Sequence, residues 1–356
     1  MNTRNLYVAA AALGIAALAG SAQAQTLRLL TWGGYAPEAV VKQFKAETGI
    51  DVAVTESNNE DMISKLRATD GAGFDLAQPS QDRITGAQQE FGIYKPIDYA
   101  KLNAALFNAS MLEASRKNTT LDGKPYGVAH VWGTLGIVVD KSKAPDIKDY
   151  ADLCDPKYKG RISMRLKRPD LIAMAFAVGE DPFAAYGDKA KYQAIIDKAG
   201  QKLIDCKPNV KAYWTGSDAL LNLFRTGEVV AAIAWDASGF KLNQENASIN
   251  FLVPAKSQAQ GWIDTFALPK KGRADDAAYK WINFVMQPKV AAAIAEASGS
   301  FTASKGSEDL VSPGLSKAFK AAFSDKEIAA IKWYPTVPAG LEAMEGKVLD
   351  RAAAAK

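Results

Sequence analysis

The sequence carries a single histidine, His130, and two cysteines, Cys154 and Cys206. That scarcity removes most metal and nucleophile chemistry. No C-x-x-C occurs, and no set of side chains has zinc-ligand or calcium-loop spacing. A Ser-His-Asp arrangement would have to use His130, which lies in the apolar run Gly127-Val128-Ala129-His130-Val131. A satisfied core or cleft-wall imidazole suits that setting better than a catalytic one. The patterns G-x-S-x-G, G-x-G-x-x-G and Walker A are all missing. Adjacent carboxylates such as Glu60 and Asp61 read as a solvated helix start, where the helix dipole favours negative charge. No catalytic residue, metal or cofactor is expected.

Charge of one sign is also in short supply. The formal net charge of +4 is too small to argue for nucleic acid. Long apolar runs are confined to the start of the chain. Arg4 precedes an apolar stretch from Leu6 to Leu18, and small residues lead to Ala22-Gln23-Ala24. Charge, apolar core and A-x-A together predict a cleavable secretory signal over residues 1–24. The apolar core is shorter than the roughly 20 residues that span a bilayer. Cleavage would leave Gln25 first, with no thiol for a lipid anchor, and would put the mature chain outside the cytoplasm. In that oxidising compartment an even pair of cysteines suggests one Cys154–Cys206 disulfide, two separate buried thiols being the other reading.

What the chain does have is alternation of strands and helices. Thr26–Thr31 reads as a strand, Trp32-Gly33-Gly34-Tyr35 as a tight turn, and Pro37 opens a helix that Gly49 ends. A strand from Asp51, a helix over Glu60–Ala68 and a short strand over Phe74–Ala77 follow, which predicts a parallel sheet with crossover helices. Ligands of such sheets sit beyond the carboxyl ends of the strands, where Trp32, Tyr35, Ser80 and Asp82 fall. The second half repeats the logic. Strands are expected at Trp132–Val139, Arg161–Met164, Val210–Tyr213, Val229–Trp235 and Trp262–Leu268, with a last helix begun by Pro338. Two α/β units of similar size predict two lobes around a cleft.

Aromatic residues beside polar ones at strand ends are the distinctive chemistry. Trp32 and Tyr35 share the first turn, Trp235 precedes Asp236, and Trp262 is two residues before Asp264. An indole face attracts an alkylammonium group and a nearby carboxylate completes its neutralisation.

On these segments the chain resembles the polyamine-binding proteins of bacterial spermidine/putrescine ABC importers. They are Leu30-Thr31-Trp32-Gly33-Gly34-Tyr35, Phe74-Asp75-Leu76-Ala77-Gln78-Pro79-Ser80, Val131-Trp132-Gly133-Thr134, Asp155-Pro156-Lys157-Tyr158-Lys159-Gly160, Ala234-Trp235-Asp236, Trp262-Ile263-Asp264 and Trp281-Ile282-Asn283-Phe284. The resemblance implies an α/β, two-lobed periplasmic-binding-protein (Venus-flytrap) fold that closes on a diamine or triamine. It also implies delivery to permease subunits in the inner membrane, driven by a cytoplasmic ATPase. Crossings near His130, Trp262 and residue 309 would put residues 25–130 plus 263–309 in lobe I and 131–262 plus 310–356 in lobe II. A monomer is expected.

Carried over residue by residue, the resemblance makes Trp32, Tyr35, Trp235 and Trp262 an aromatic box, Ser80 a polar contact, and Asp264 and Asp170 amine-binding carboxylates. Three positions depart. Asp82 stands where an aromatic is usual, Phe301 replaces a tyrosine, and Lys167 falls where an amine-binding aspartate is expected. Either Lys167 points outward or the ligand carries an anion at that end. The competing readings are a receptor for a zwitterion such as an amino acid derivative, a periplasmic hydrolase, and a metal-chelate binder. The last lacks the neighbouring tyrosines that iron receptors use.

Overall fold

The computed structural model describes residues 25–355, so the expected signal segment 1–24 lies outside the described residues. The first sheet is three parallel strands in the order Asp51–Glu56, Thr26–Thr31, Leu76–Ala77. Leu27, Leu29 and Leu30 of its central strand are fully buried. The flanking helices are Glu38–Thr48, Asn59–Ala68 and Gln81–Phe91. Val40 and Phe44 form the buried face of the first, and Gly49 ends that helix in the left-handed region at φ 72°.

Arg28 ties this sheet together. Its guanidinium reaches both oxygens of Asp75, Nε to Oδ2 at 2.8 Å and Nη2 to Oδ1 at 2.7 Å, while the backbone N–H of Arg273 donates to Oδ1 at 2.8 Å. Burial works against the Asp75 charge. The Arg28 guanidinium and the N–H groups of Arg273 and Arg28 outweigh it and hold the pKa down to about 2. A carboxylate with a depressed folded pKa contributes stability that is complete above its unfolded pKa, about 4, and is lost as pH falls through about 2. The stability gap between the unmodified protein and Asp75→Asn is therefore expected to widen as pH rises from 2 to 4 and then to level off. Urea unfolding at a series of pH values measures it, and a gap constant over that range would contradict the assignment.

The second sheet has seven strands. Six run in the order Lys332–Trp333, Gln260–Phe266, Val128–Asp140, Ala231–Trp235, Ile162–Met164, Val210–Tyr213, and Ile249–Leu252 pairs with the far half of Val128–Asp140. The expected strand Trp132–Val139 is in fact thirteen residues long and buried throughout. That length lets it serve both sheets. Its first half pairs with the whole of Gln260–Phe266, and that segment touches the first sheet through the bridge of Ser80 to Asp264 and, one residue past the strand, that of Ala77 to Ala267. Its second half pairs with Ala231–Trp235. A third segment joins at the same level: Trp132 N–H donates to the Phe301 carbonyl at 2.9 Å and Ala303 N–H to the His130 carbonyl at 2.6 Å.

A β-bulge sits at this junction. Val131 faces Asp264 but Ala129 faces Thr265, so His130 is the extra residue. His130 is fully buried, stacks on Phe266 with ring centroids 4.3 Å apart, and its Nδ1 meets the Gln78 amide. Burial pushes its pKa down to about 3, so the imidazole is neutral.

Around the second sheet, the helices Arg168–Ala177, Lys189–Cys206 and Leu341–Ala354 pack against one another. Cys154 and Cys206 form a disulfide with Cα atoms 4.7 Å apart. The tail helix starts at Leu341, not Pro338, because Gly340 takes φ 89° and interrupts the helical path. Helices at Ala109–Asn118, Ser217–Arg225, Asp236–Glu245, Asp275–Val285, Pro288–Ser298 and Pro313–Ala322 also contribute to the core. Among the described residues, no helix is long and apolar enough to cross a membrane.

Candidate functional site

A cleft of about 450 Å³ opens where the long strands cross between the sheets. Its walls include Trp32, Tyr35, Ser80, Asp82, Trp235, Trp262 and Asp264. These seven come from distant parts of the chain, and local structure explains why each faces the cleft. Trp32 and Tyr35 are aimed by the turn after the first strand. Tyr35 N–H donates to the Trp32 carbonyl at 3.3 Å, and Gly34 sits at φ 82°, a conformation that side chains strain to adopt. The Trp32 indole is fixed by its Nε1–H, which donates to the Gln78 carbonyl at 2.8 Å. Trp262 lies across the neighbouring strand on Gly133, its register partner, where an added Cβ would come within 2.4 Å of the indole. Trp235 meets Trp262 edge to face, with centroids 6.2 Å apart.

Asp264 is the anionic centre of this wall and is 4% exposed. Tyr35 Oη–H donates to its Oδ2 at 2.6 Å and Ser80 Oγ–H to its Oδ1 at 2.5 Å. Ser80 is itself held by Asn59, whose Nδ2 donates to Oγ at 2.9 Å and whose Oδ1 accepts from the Ser80 N–H at 2.9 Å. Among the described residues, no Lys or Arg forms a salt bridge with Asp264. Burial pushes its pKa up to about 7, the Ser80 and Tyr35 hydrogen bonds pull the other way, and the charge on Asp82 adds to the rise.

Three expected site residues are not on the cleft wall. Lys167 is exposed at the N-cap of the helix Arg168–Ala177 and is not among the residues that line the cleft. Asp170 is fully buried behind the wall, where it accepts the Arg165 N–H at 2.7 Å and lies 3.5 Å from Arg165 Nε. It serves the loop at its own helix start instead of presenting a carboxylate to the cleft. Phe301 is buried in a phenyl cluster, 4.2 Å from Phe319 between centroids, and its neighbour Ser300 lines the cleft in its place.

Other lining residues escape the sequence reading: Asn59, Arg83, Arg168 and Tyr334. Tyr334 follows the short strand Lys332–Trp333, the same aromatic-at-strand-end signal that marked the tryptophans. Arg168 is one residue from Lys167 in the same basic loop. Arg165, from that loop, stacks between Trp214 and Trp235, its Cζ 4.3 and 4.8 Å from the ring centroids. A cation thus braces the indole of Trp235 within the protein.

Two α/β layers joined by crossing strands, with a ligand-sized aromatic cleft at the joint, define a solute-binding receptor. The family model for bacterial extracellular solute-binding proteins matches residues 39–325, and the chain belongs to that family, alongside the spermidine/putrescine-binding periplasmic proteins. The protein of that name from Escherichia coli K12 is 30% identical over 330 residues, covering 91% of this chain and 90% of the relative. The counterpart from Haemophilus influenzae, spermidine/putrescine-binding periplasmic protein 1, is 28% identical over 281 residues, 77% of this chain and 74% of the relative. Among solved structures, a putative spermidine/putrescine ABC transporter from Listeria monocytogenes superposes with a TM-score of 0.75 at 25% identity, over 94% of this chain and all of that one. The expected two-lobed α/β periplasmic-binding-protein fold is thus borne out, and the family is one of binding proteins, not enzymes. The relatives named here are periplasmic by name.

Proposed function

We propose that this chain is the soluble receptor of an ABC importer, capturing an alkylamine of the putrescine and spermidine kind and presenting it to the permease in the inner membrane. One observation carries the reading. Asp264 is a buried carboxylate with two neutral hydrogen-bond donors, no cation of its own, and indoles on the same wall. Burying an uncompensated anion is costly, and a ligand ammonium would supply the missing charge while the indole faces take its methylene chain. The names of the relatives point the same way.

In this reading the chain is exported through cleavage of residues 1–24 and acts as a monomer in the periplasm. Residues 25–130 with 263–309 form one lobe, and 131–262 with 310–356 form the other. The bulge at His130 marks the hinge, and Asp264 and Trp262 stand on either side of the crossing. Neither lobe alone holds the whole box, so binding drives closure, and the closed form is what the permease reads. Small-angle scattering of the mature protein is the test. The radius of gyration is expected to fall on saturation with putrescine or spermidine, and an unchanged radius at saturation would contradict the closure mechanism.

A further inference from the structure

Asp82 sits in the first turn of the helix Gln81–Phe91, two residues beyond the Ser80 that holds Asp264. Its side chain is 11% exposed and lines the same cleft. Two arginines line the cleft with it, and each is already claimed by a glutamate. Arg83 pairs with Glu342. Arg168 pairs with Glu345 at 3.1 Å, and Glu345 also accepts the Tyr192 hydroxyl. Asp82 is left with Arg83 Nε at 3.6 Å, too long for a hydrogen bond. Among the described residues, no other side chain donates to it. Counting the cleft carboxylates and the two glutamates against the two guanidiniums leaves a surplus of two negative charges.

We propose that Asp82 is a second ammonium site, so that the cleft takes a diamine with one end on Asp264 and the other on Asp82. The inference rests on the amine-receptor reading above and makes it more specific. A dication cancels the surplus. A monoamine leaves one charge of that surplus unmatched, with Asp82 facing only the shared Arg83 guanidinium at 3.6 Å, and a ligand with a carboxylate at its second end adds to the surplus. Burial raises the pKa of Asp82, while Arg83 and Arg168 oppose the rise. Arg168 is the group that an anionic ligand end would seek, which makes it the discriminating alternative.

The test is calorimetry of the mature protein with three probes that share one ammonium: 1,4-diaminobutane, n-butylamine and 4-aminobutanoate. The diamine is expected to bind at least tenfold more tightly than butylamine. Asp82→Asn is expected to reduce that preference at least tenfold, and Asp82→Glu, which keeps the charge, to retain most of it. Thermal unfolding of both variants checks that the fold is intact. A preference unaltered in Asp82→Asn, or lost equally in both variants, would overturn the proposal. So would tighter binding of 4-aminobutanoate than of the diamine, with Arg168 then taking the anion. Silence from all three probes with the unmodified protein would instead defeat the amine-receptor reading, and this inference with it.

Discussion

Asp264→Asn is expected to weaken binding of an alkylamine at least thirtyfold. The substitution keeps the size of the side chain and its place between Tyr35 and Ser80, so it removes charge with little change of shape. Losing one partner of a buried, hydrogen-bonded charge pair costs about 2–5 kcal/mol, and each decade of affinity is about 1.4 kcal/mol. The pH dependence gives the same claim a second reading. Burial lifts the Asp264 pKa to about 7, and an ammonium binds the ionised form. Affinity should therefore climb about tenfold per unit as pH rises towards 7 and flatten above it. Below 7, binding should release a proton. Asp264→Asn should lose most of this slope. Calorimetry between pH 5 and 8.5 measures both effects, and a steep slope that survives in Asp264→Asn would place the titrating group elsewhere.

The second large effect is on stability. Breaking the Cys154–Cys206 bond, by reduction or by Cys154→Ser with Cys206→Ser, is expected to cost about 4 kcal/mol on loop-closure entropy, for a sequence separation of 52. Cys206 is fully buried at the end of the helix Lys189–Cys206, against Cys154 at the end of the turn Tyr150–Cys154. Neither residue lines the cleft, so the bond staples one layer and leaves the crossing strands free to bend. Ligand affinity should stay within about threefold while denaturant unfolding moves by the full amount. Equal stability of the oxidised and reduced protein would contradict this, and so would a large loss of affinity on reduction.

The parts of the fold legible in the sequence were those set by local pattern. The strand Val210–Tyr213 falls where expected, and the helix Asn59–Ala68 buries Met62 and Leu66 as its spacing requires. The strand Val128–Asp140, at thirteen residues, is longer than its local pattern predicts. Gly127-Val128-Ala129-His130 looks like an ordinary apolar approach to a strand, and only pairing with the distant Gln260–Phe266 extends the ladder through it.

The site divides the same way. Trp32, Tyr35, Trp235 and Trp262 could be placed because each stands at or near the end of a strand or beside a turn, where direction follows from the backbone. Lys167 and Arg168 could not be separated. At a helix N-cap one step along the chain takes a side chain from solvent, as at exposed Lys167, to the cleft lining, as at Arg168. Asp170 misleads for a related reason. At the third position of that helix its carboxylate folds back onto the Arg165 N–H, a capping arrangement that competes with any ligand. The bracing of Trp235 by Arg165 depends on Trp214, some fifty residues away, and no local pattern signals it.

The central claim is that this cleft captures an amine. Calorimetry of the unmodified mature protein with putrescine and spermidine tests it most directly. The account predicts saturable heat at one ligand per chain from at least one of them, with the compound recovered unchanged. No heat from either, in a protein that unfolds cooperatively and is therefore intact, would contradict it.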